Sequence, residues 1–321
     1  GIAWSIRVWA SLKAVEGRRP MLQRALRGVL NASRGVLIGI AEIIPGVSGG
    51  TIALIVGVYQ TVIDGAAHVV RGVVGLVRGR GVAGFLADMR QVRWAVIAPV
   101  VVGMFAGIFA GAALIEPVIT AHPERTRAVF AGLIFASLWV PIRMVARAWN
   151  PAWVLVGIAA ASASFLLTGL PSLASGSTSL WWVAPAAALA VCALVLPGVS
   201  GSFLLVVLGV YQPTLQAVNE RDGAYLSVFV LGAILGLASF VRVLQWLLAH
   251  HRVATLVVMT GLMLGSLRAL WPWQGEGREL LAPEPGSASI WLWMGGGALA
   301  VVVVLLVERI AQSRVKDGSI A

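Results

Sequence analysis

Long apolar runs alternate with short polar interruptions along this chain. Within the runs there is neither the two-residue alternation of a half-buried strand nor a polar helical face. The window VIAPVVVGMFAGIFAGAALI, residues 96–115, is apolar all round. It is long enough to cross a bilayer as helix, which takes about 20 residues. Strands of a membrane barrel would alternate apolar and polar positions, so the pattern predicts helices. Hydropathy divides the chain into a basic part to residue 27, apolar 28–44, an interruption, apolar 51–70, a basic linker 71–93, and spans near 94–115, 128–145 and 152–169. The pattern then restarts with 181–196, a second interruption, 202–218, and spans near 225–248, 253–271 and 290–308.

Both interruptions carry the same text. Residues 43–60 read IIPGVSGGTIALIVGVYQ and residues 195–212 read VLPGVSGSFLLVVLGVYQ. A shift of 152 takes Pro45, Ser48, Gly57 and Tyr59 onto Pro197, Ser200, Gly209 and Tyr211. A shift of 129 takes Gly103, Gly107, Gly132 and Ser137 onto Gly232, Gly236, Gly261 and Ser266. The difference of 23 is close to the length of the linker 71–93, so one insertion relates the halves. The division that follows is an N-terminal amphipathic or cytoplasmic segment 1–27 and a first repeat 28–170 made of a hairpin 28–70, the linker and three spans. A second repeat 181–310 has its hairpin at 181–218 and three spans, and a cytoplasmic tail 311–321 closes the chain. Each repeat crosses an odd number of times, so the second begins on the opposite side. The predicted fold is an all-α polytopic membrane protein with an inverted-topology repeat. Each half is a re-entrant or broken helical hairpin plus three transmembrane helices, an architecture of secondary transporters.

Composition agrees, at 59% hydrophobic and 12% charged. The net charge of +11 suggests nucleic acid until its placement is considered. On this topology 19 basic residues fall on the side of the termini, and five, Arg125, Arg127, Arg221, Arg268 and Arg278, on the other. That is a positive-inside bias, which puts both termini in the cytoplasm and makes the bilayer the partner, with no nucleic acid. Tryptophans such as Trp94, Trp149, Trp181 and Trp271 lie near segment ends, at headgroup level. The count is the same whether the hairpins cross or turn back. The segment 35–44, about 15 Å as helix, favours a tip inside the membrane. The single cysteine, Cys192, excludes a disulfide framework, and the four histidines lack ligand spacing, so no metal or cofactor is expected. No nucleophile elbow, HExxH or Walker loop occurs, and no enzyme is predicted.

The breaks themselves carry the candidate chemistry. Proline ends the incoming helix, glycine leaves room for a close ligand, and a new helix is expected to start at Thr51 and at Ser202. Amides of such a start, with the positive end of the helix dipole, suit an anion. The candidate binding residues are Pro45, Gly46, Val47, Ser48, Gly49, Gly50 and Thr51, with Pro197, Gly198, Val199, Ser200, Gly201 and Ser202. With inverted halves, the two tips would meet near the midplane around one negative group. The plainer reading is a pair of tight turns in which Ser48 and Ser200 only cap amides. Glu42 lies within the first hairpin, while its counterpart is Leu194. It is the candidate for a proton carried with the anion, or else a structural acid bonded to amides. Arg268, in GSLRALWP, either greets an anion on the outer side or snorkels to the surface. Tyr59 and Tyr211 either donate into the cavity or anchor at the interface.

Through AEIIPGVSGGTIALIVGVY and LPGVSGSFLLVVLGVY the chain resembles the bacterial polyprenyl-phosphate transporter family, from about Arg27 to Glu308. The resemblance implies translocation of undecaprenyl phosphate, an anionic lipid, from the outer to the cytoplasmic leaflet of the bacterial inner membrane. The family's motif is matched here by Glu42, Pro45, Gly46, Ser48, Gly49, Gly50 and Thr51, and by Pro197, Gly198, Ser200, Gly201 and Ser202. Relatives often have aspartate where this chain has Glu42, and Arg34-Gly35 looks like the arginine-glycine step before that acid. The alternatives are a carrier or channel for another phosphate- or carboxylate-bearing anion, and a membrane-embedded polyprenyl-diphosphate phosphatase. The phosphatase would need acid, base or metal groups, and only Glu42 is at hand.

Overall fold

A computed structural model describes residues 24–42, 48–170, 179–275 and 277–317. Pro45, Gly46 and Val47 of the first break lie outside the described residues, as do 1–23 of the N-terminal segment and 318–321 of the tail. The first half is built from α1 (24–42), α2 (Gly49–Ile55), α3 (Tyr59–Val77), α4 (Gly81–Gln91), α5 (Trp94–Ala121), α6 (Pro123–Ser137), α7 (Trp139–Val145) and α8 (Pro151–Thr168). The second half contains α9 (Leu180–Val195), α10 (Gly201–Val207), α11 (Tyr211–Glu220), α12 (Gly223–His250), α13 (Arg252–Ser266) and α14 (Ala288–Asp317). Among the described residues, six stretches are long and apolar enough to cross a membrane, three in each half: Trp94–Gly111, Pro123–Val145, Pro151–Thr168, Gly223–His250, Arg252–Leu270 and Ala288–Val307. Their outward side chains suit lipid, with Phe109 73%, Leu235 66% and Leu292 77% exposed. The expected all-α polytopic fold, with a bent helix pair and three long apolar stretches in each half, is what forms.

Several boundaries differ from the hydropathy reading, each for a local reason. The runs 51–70 and 202–218 are not straight: α2 and α3 meet at 119°, α10 and α11 at 102°. Gly57 and Gly209 cause this, both at φ 72°, where only glycine sits without strain. The Gly57 N–H donates to Leu54 O at 3.3 Å and the Val58 N–H to Ala53 O at 3.0 Å. Gly209 and Val210 repeat this with Val206 O and Leu205 O at 3.1 and 3.0 Å. Both are Schellman stops, so the repeat extends to the backbone angles. The short helices start at Gly49 and Gly201 rather than Thr51 and Ser202, because Ser48 and Ser200 are their N-caps. The incoming helix α1 is longer than the apolar 35–44, since its polar first turns are helical too. The linker 71–93 is largely helix: α4 folds back on α3, where Arg80 at its start donates from Nη2 to Arg71 O of α3 at 2.6 Å and pairs with Asp88 of α4 at 3.1 Å, Asp88 being 4% exposed.

Glycines set the helix pairing. A Cβ at Gly35 or Gly39 of α1 would strike the α5 carbonyls of Val100 and Met104, and Gly103 and Gly107 of α5 abut Ala32 and Val36 in return. In the second half Gly232 and Gly236 of α12 abut Ala184 and Ala188 of α9. These are the small-residue faces expected from sequence, and they let backbones touch. The other two pairs cross between halves. Gly132 of α6 abuts Met294 of α14, with Gly297 against Val129, while Gly261 and Gly265 of α13 abut Gly157 and Ala161 of α8. Gly261→Val is therefore expected to force α13 off α8, costing about 2 kcal/mol as overpacking does, read as a lowered melting temperature in detergent.

Candidate functional site

The end of α9 poses a problem for an apolar setting. The last carbonyls of a helix have no partner within it, and Pro197 supplies no amide to continue the ladder. The first half solves it. Ser48, 2% exposed, has its Oγ 3.1 Å from Leu194 O and 3.0 Å from Leu196 O, so its one proton serves either carbonyl. Tyr59 is buried, and its hydroxyl donates to Val195 O at 3.1 Å. That removes the interface-anchor reading of Tyr59. Thr51, 0% exposed, accepts at Oγ1 from the Gly198 N–H at 3.0 Å. The two breaks are thus bonded to each other, side chains of one to backbone of the other.

Close packing fixes the second break from behind. Gly198 has φ 83°, and a Cβ there would lie 2.5 Å from Met263 N and Cα in α13. Pro197, Gly198, Ser200 and Gly201 are buried, and Val199 and Ser202 half-buried. Irregular backbone within a bilayer is tolerated only under such cover.

The two helix starts are not equivalent. Glu42, at the end of α1, accepts at Oε1 from the Gly49 N–H at 2.9 Å, so a carboxylate of the chain itself occupies the start of α2. Ser48 Oγ accepts from Gly50 N–H beside it at 3.2 Å. In the second half Leu194 stands in the place of Glu42. Ser200 Oγ accepts from Phe203 N–H at 3.4 Å and lies 3.0 Å from Ser202 Oγ. Negative charge is favoured at both starts by the dipole, and among the described residues the first has a carboxylate of its own while Leu194 replaces it at the second.

Arg34 lies about 12 Å along α1 from Glu42, donating to Asn31 Oδ1 at 2.7 Å. Arg268 follows α13, and its contacts run to α8: the guanidinium carbon is 4.6 Å from the Phe165 ring centroid and Nη1 is 3.5 Å from Phe165 O. Beside the first break lies an apolar cavity of about 140 Å³ whose lining includes Leu37, Ala41, Ile52, Phe130, Leu133 and Val304. Among the described residues, no three His, Cys, Asp or Glu side chains gather as metal ligands would. Of the residues that sequence reasoning singled out, the structure brings Glu42, Ser48 and Thr51 together with the second break, while Pro45, Gly46 and Val47 lie outside the described residues. The bonds from Thr51 and Tyr59 into the other half escaped that reasoning, although the Tyr59/Tyr211 repeat pointed toward them.

A family model described as undecaprenyl phosphate translocase-like matches residues 38–284. A polyprenyl-phosphate transporter of Vibrio cholerae is 36% identical over 243 residues, 75% of this chain and 77% of that protein. A polyprenyl-phosphate transporter of Staphylococcus aureus is 27% identical over 263 residues, covering 76% and 86%. No solved structure matches.

Proposed function

The chain belongs to the undecaprenyl phosphate translocase-like family, and on that premise we propose that it moves undecaprenyl phosphate from the outer to the cytoplasmic leaflet of the bacterial inner membrane, with both termini cytoplasmic. The observation that carries the reading is the bonding of the two breaks to each other between the helices. An anionic headgroup entering there meets amides and hydroxyls of both halves, while the isoprenoid tail stays in lipid. Pro45 to Thr51 and Pro197 to Ser202 form this headgroup path. The apolar cavity against Ala41 and Ile52 gives the first isoprenyl carbons a place beside it, which a soluble anion would not need.

Glu42 then acts as a built-in competitor. Its carboxylate sits on the Gly49 amide where a phosphate would bind, and two anions cannot share that position without a proton. Protonation frees the start of α2 for the headgroup, and release of the lipid restores the carboxylate. Arg34 and Arg268 serve as cations on the approaches to the path.

The test is reconstitution into liposomes with labelled undecaprenyl phosphate on one leaflet. Wild type is expected to translocate it. Ser48→Ala, which leaves the end of α9 short of a donor, should slow it roughly tenfold, the effect of about 1.4 kcal/mol from an unsatisfied buried carbonyl. Ser200→Ala should slow it less, since that hydroxyl holds only local groups. Wild-type rates equal to protein-free liposomes under both directions of proton gradient would overturn the proposal.

A further inference from the structure

Three guanidinium groups keep a buried N–H with no hydrogen-bond partner among the described residues: Arg127 Nε, Arg268 Nε and Arg278 Nη1. All three gather on one segment. Arg268 and Arg278 belong to the connection between α13 and α14, and Arg127 donates from Nη2 to Pro272 O in that connection at 2.8 Å. The arginine distribution places it on the face opposite the termini.

The described residues of this connection form a hairpin. Gln274 and Leu280 form an antiparallel bridge. The Gly275 N–H donates to Glu279 O, the Leu281 N–H to Trp273 O and the Arg278 N–H to Gly275 O, each at 3.0 Å. Gln274 Nε2 ties it to the turn that follows α13 through Arg268 O at 2.9 Å. Trp271, Trp273 and Trp291 pack at its base, with ring centroids 5.3 to 6.4 Å apart. At the tip Arg278 has φ 61°, a left-handed conformation that suits glycine or asparagine and strains arginine. The guanidinium carbon lies 4.6 Å from the ring centroid of Phe203, whose N–H is capped by Ser200 Oγ. A guanidinium held over an aromatic face still has N–H groups to offer an anion.

Resting on the transport reading above, we propose that Arg278, held over Phe203 by the 271–281 hairpin, forms a phosphomonoester-binding site that receives the headgroup on the face opposite the termini and passes it to the second break. A guanidinium N–H with no partner among the described residues, beside the break where Leu194 stands in place of the acid, matches a phosphate in charge and geometry. Strain at the tip is tolerated because the loop aims this side chain.

That strain makes a clean test. Arg278→Gly and Arg278→Asn remove the guanidinium while relieving the backbone, so the melting temperature of the full chain in detergent should hold or rise. Binding of dodecyl phosphate, followed by the fluorescence of the neighbouring tryptophans, should weaken roughly tenfold, as expected for one charge-assisted hydrogen bond. In liposomes the half-saturating lipid density should rise by a similar factor with the maximal rate kept, and Arg278→Lys should recover part of it. Unchanged affinity and half-saturation in both variants would overturn the site. Inorganic phosphate binding as tightly as dodecyl phosphate, with the same loss in the variants, would support an anion site and assign it to the soluble ion. Equal binding of the diester phosphatidylglycerol would overturn its monoester specificity. Arg278-dependent binding in a wild type that translocates nothing sinks the transport reading alone; translocation indifferent to Arg278 sinks this site alone.

Discussion

Gly198→Ala will bring translocation down to the protein-free rate while leaving the protein helical and inserted. Two effects act at this position together. The left-handed φ of 83° costs an L side chain roughly 1 to 2 kcal/mol. The added Cβ also meets Met263 backbone at 2.5 Å, and backbone cannot rotate aside as a side chain does. α13 cannot retreat either, since Gly261 and Gly265 hold it against α8. The second break must therefore lift away, breaking the 3.0 Å bond from its N–H to Thr51. The sum is about 3 kcal/mol, more than a hundredfold against the joined breaks. Gly57→Ala is the control: its φ is 72°, but nothing lies within 4 Å of an added Cβ, so only the smaller conformational cost applies. Near-normal transport by Gly198→Ala, measured with the liposome assay, would contradict the bonded breaks as the working site.

Glu42→Gln separates charge from structure at the other break. Glutamine keeps an acceptor oxygen for the Gly49 N–H, which the carboxylate holds at 2.9 Å, and loses the charge. If the ionised carboxylate competes with the headgroup, wild-type transport falls as pH rises through its titration, and the variant stays flat. Above that titration the ratio of variant to wild type should grow by up to about tenfold per pH unit, as for one proton. Glu42→Ala instead leaves the Gly49 amide without its partner, costing about 1 to 2 kcal/mol of stability. Initial rates across a pH series, with melting temperatures for both variants, check this. Parallel pH profiles for wild type and Glu42→Gln would leave Glu42 a structural acid.

The hairpins were legible because proline and glycine inside apolar runs cannot continue a helix, and Pro-Gly-Val-Ser-Gly occurs twice. The pairing faces at Gly103/Gly107 and Gly232/Gly236 were legible because small residues at helical spacing have few other uses in a membrane. The sharp bends after Ile55 and Val207 were not, since a Schellman stop leaves hydropathy unchanged; the shared Gly-Val-Tyr step was the only trace. The bonds of Ser48, Thr51 and Tyr59 to the other half reach backbone atoms, which every residue supplies, so no sequence pattern marks their targets. Arg278 read as one more outer charge, because nothing local in the chain announces that its loop folds down onto Phe203.

The exchange of partners, α6 with α14 and α13 with α8, has a mechanical meaning. Neither half owns a finished interior, and swinging one bodily against the other would tear seams where main chain rests on main chain. The long helices are therefore expected to stay together as one cage. Movement is expected instead at the two seven-residue arms, α2 and α10, each hung on a glycine pivot; three side chains of the first half, Ser48, Thr51 and Tyr59, latch it to the end of α9 and to the second break.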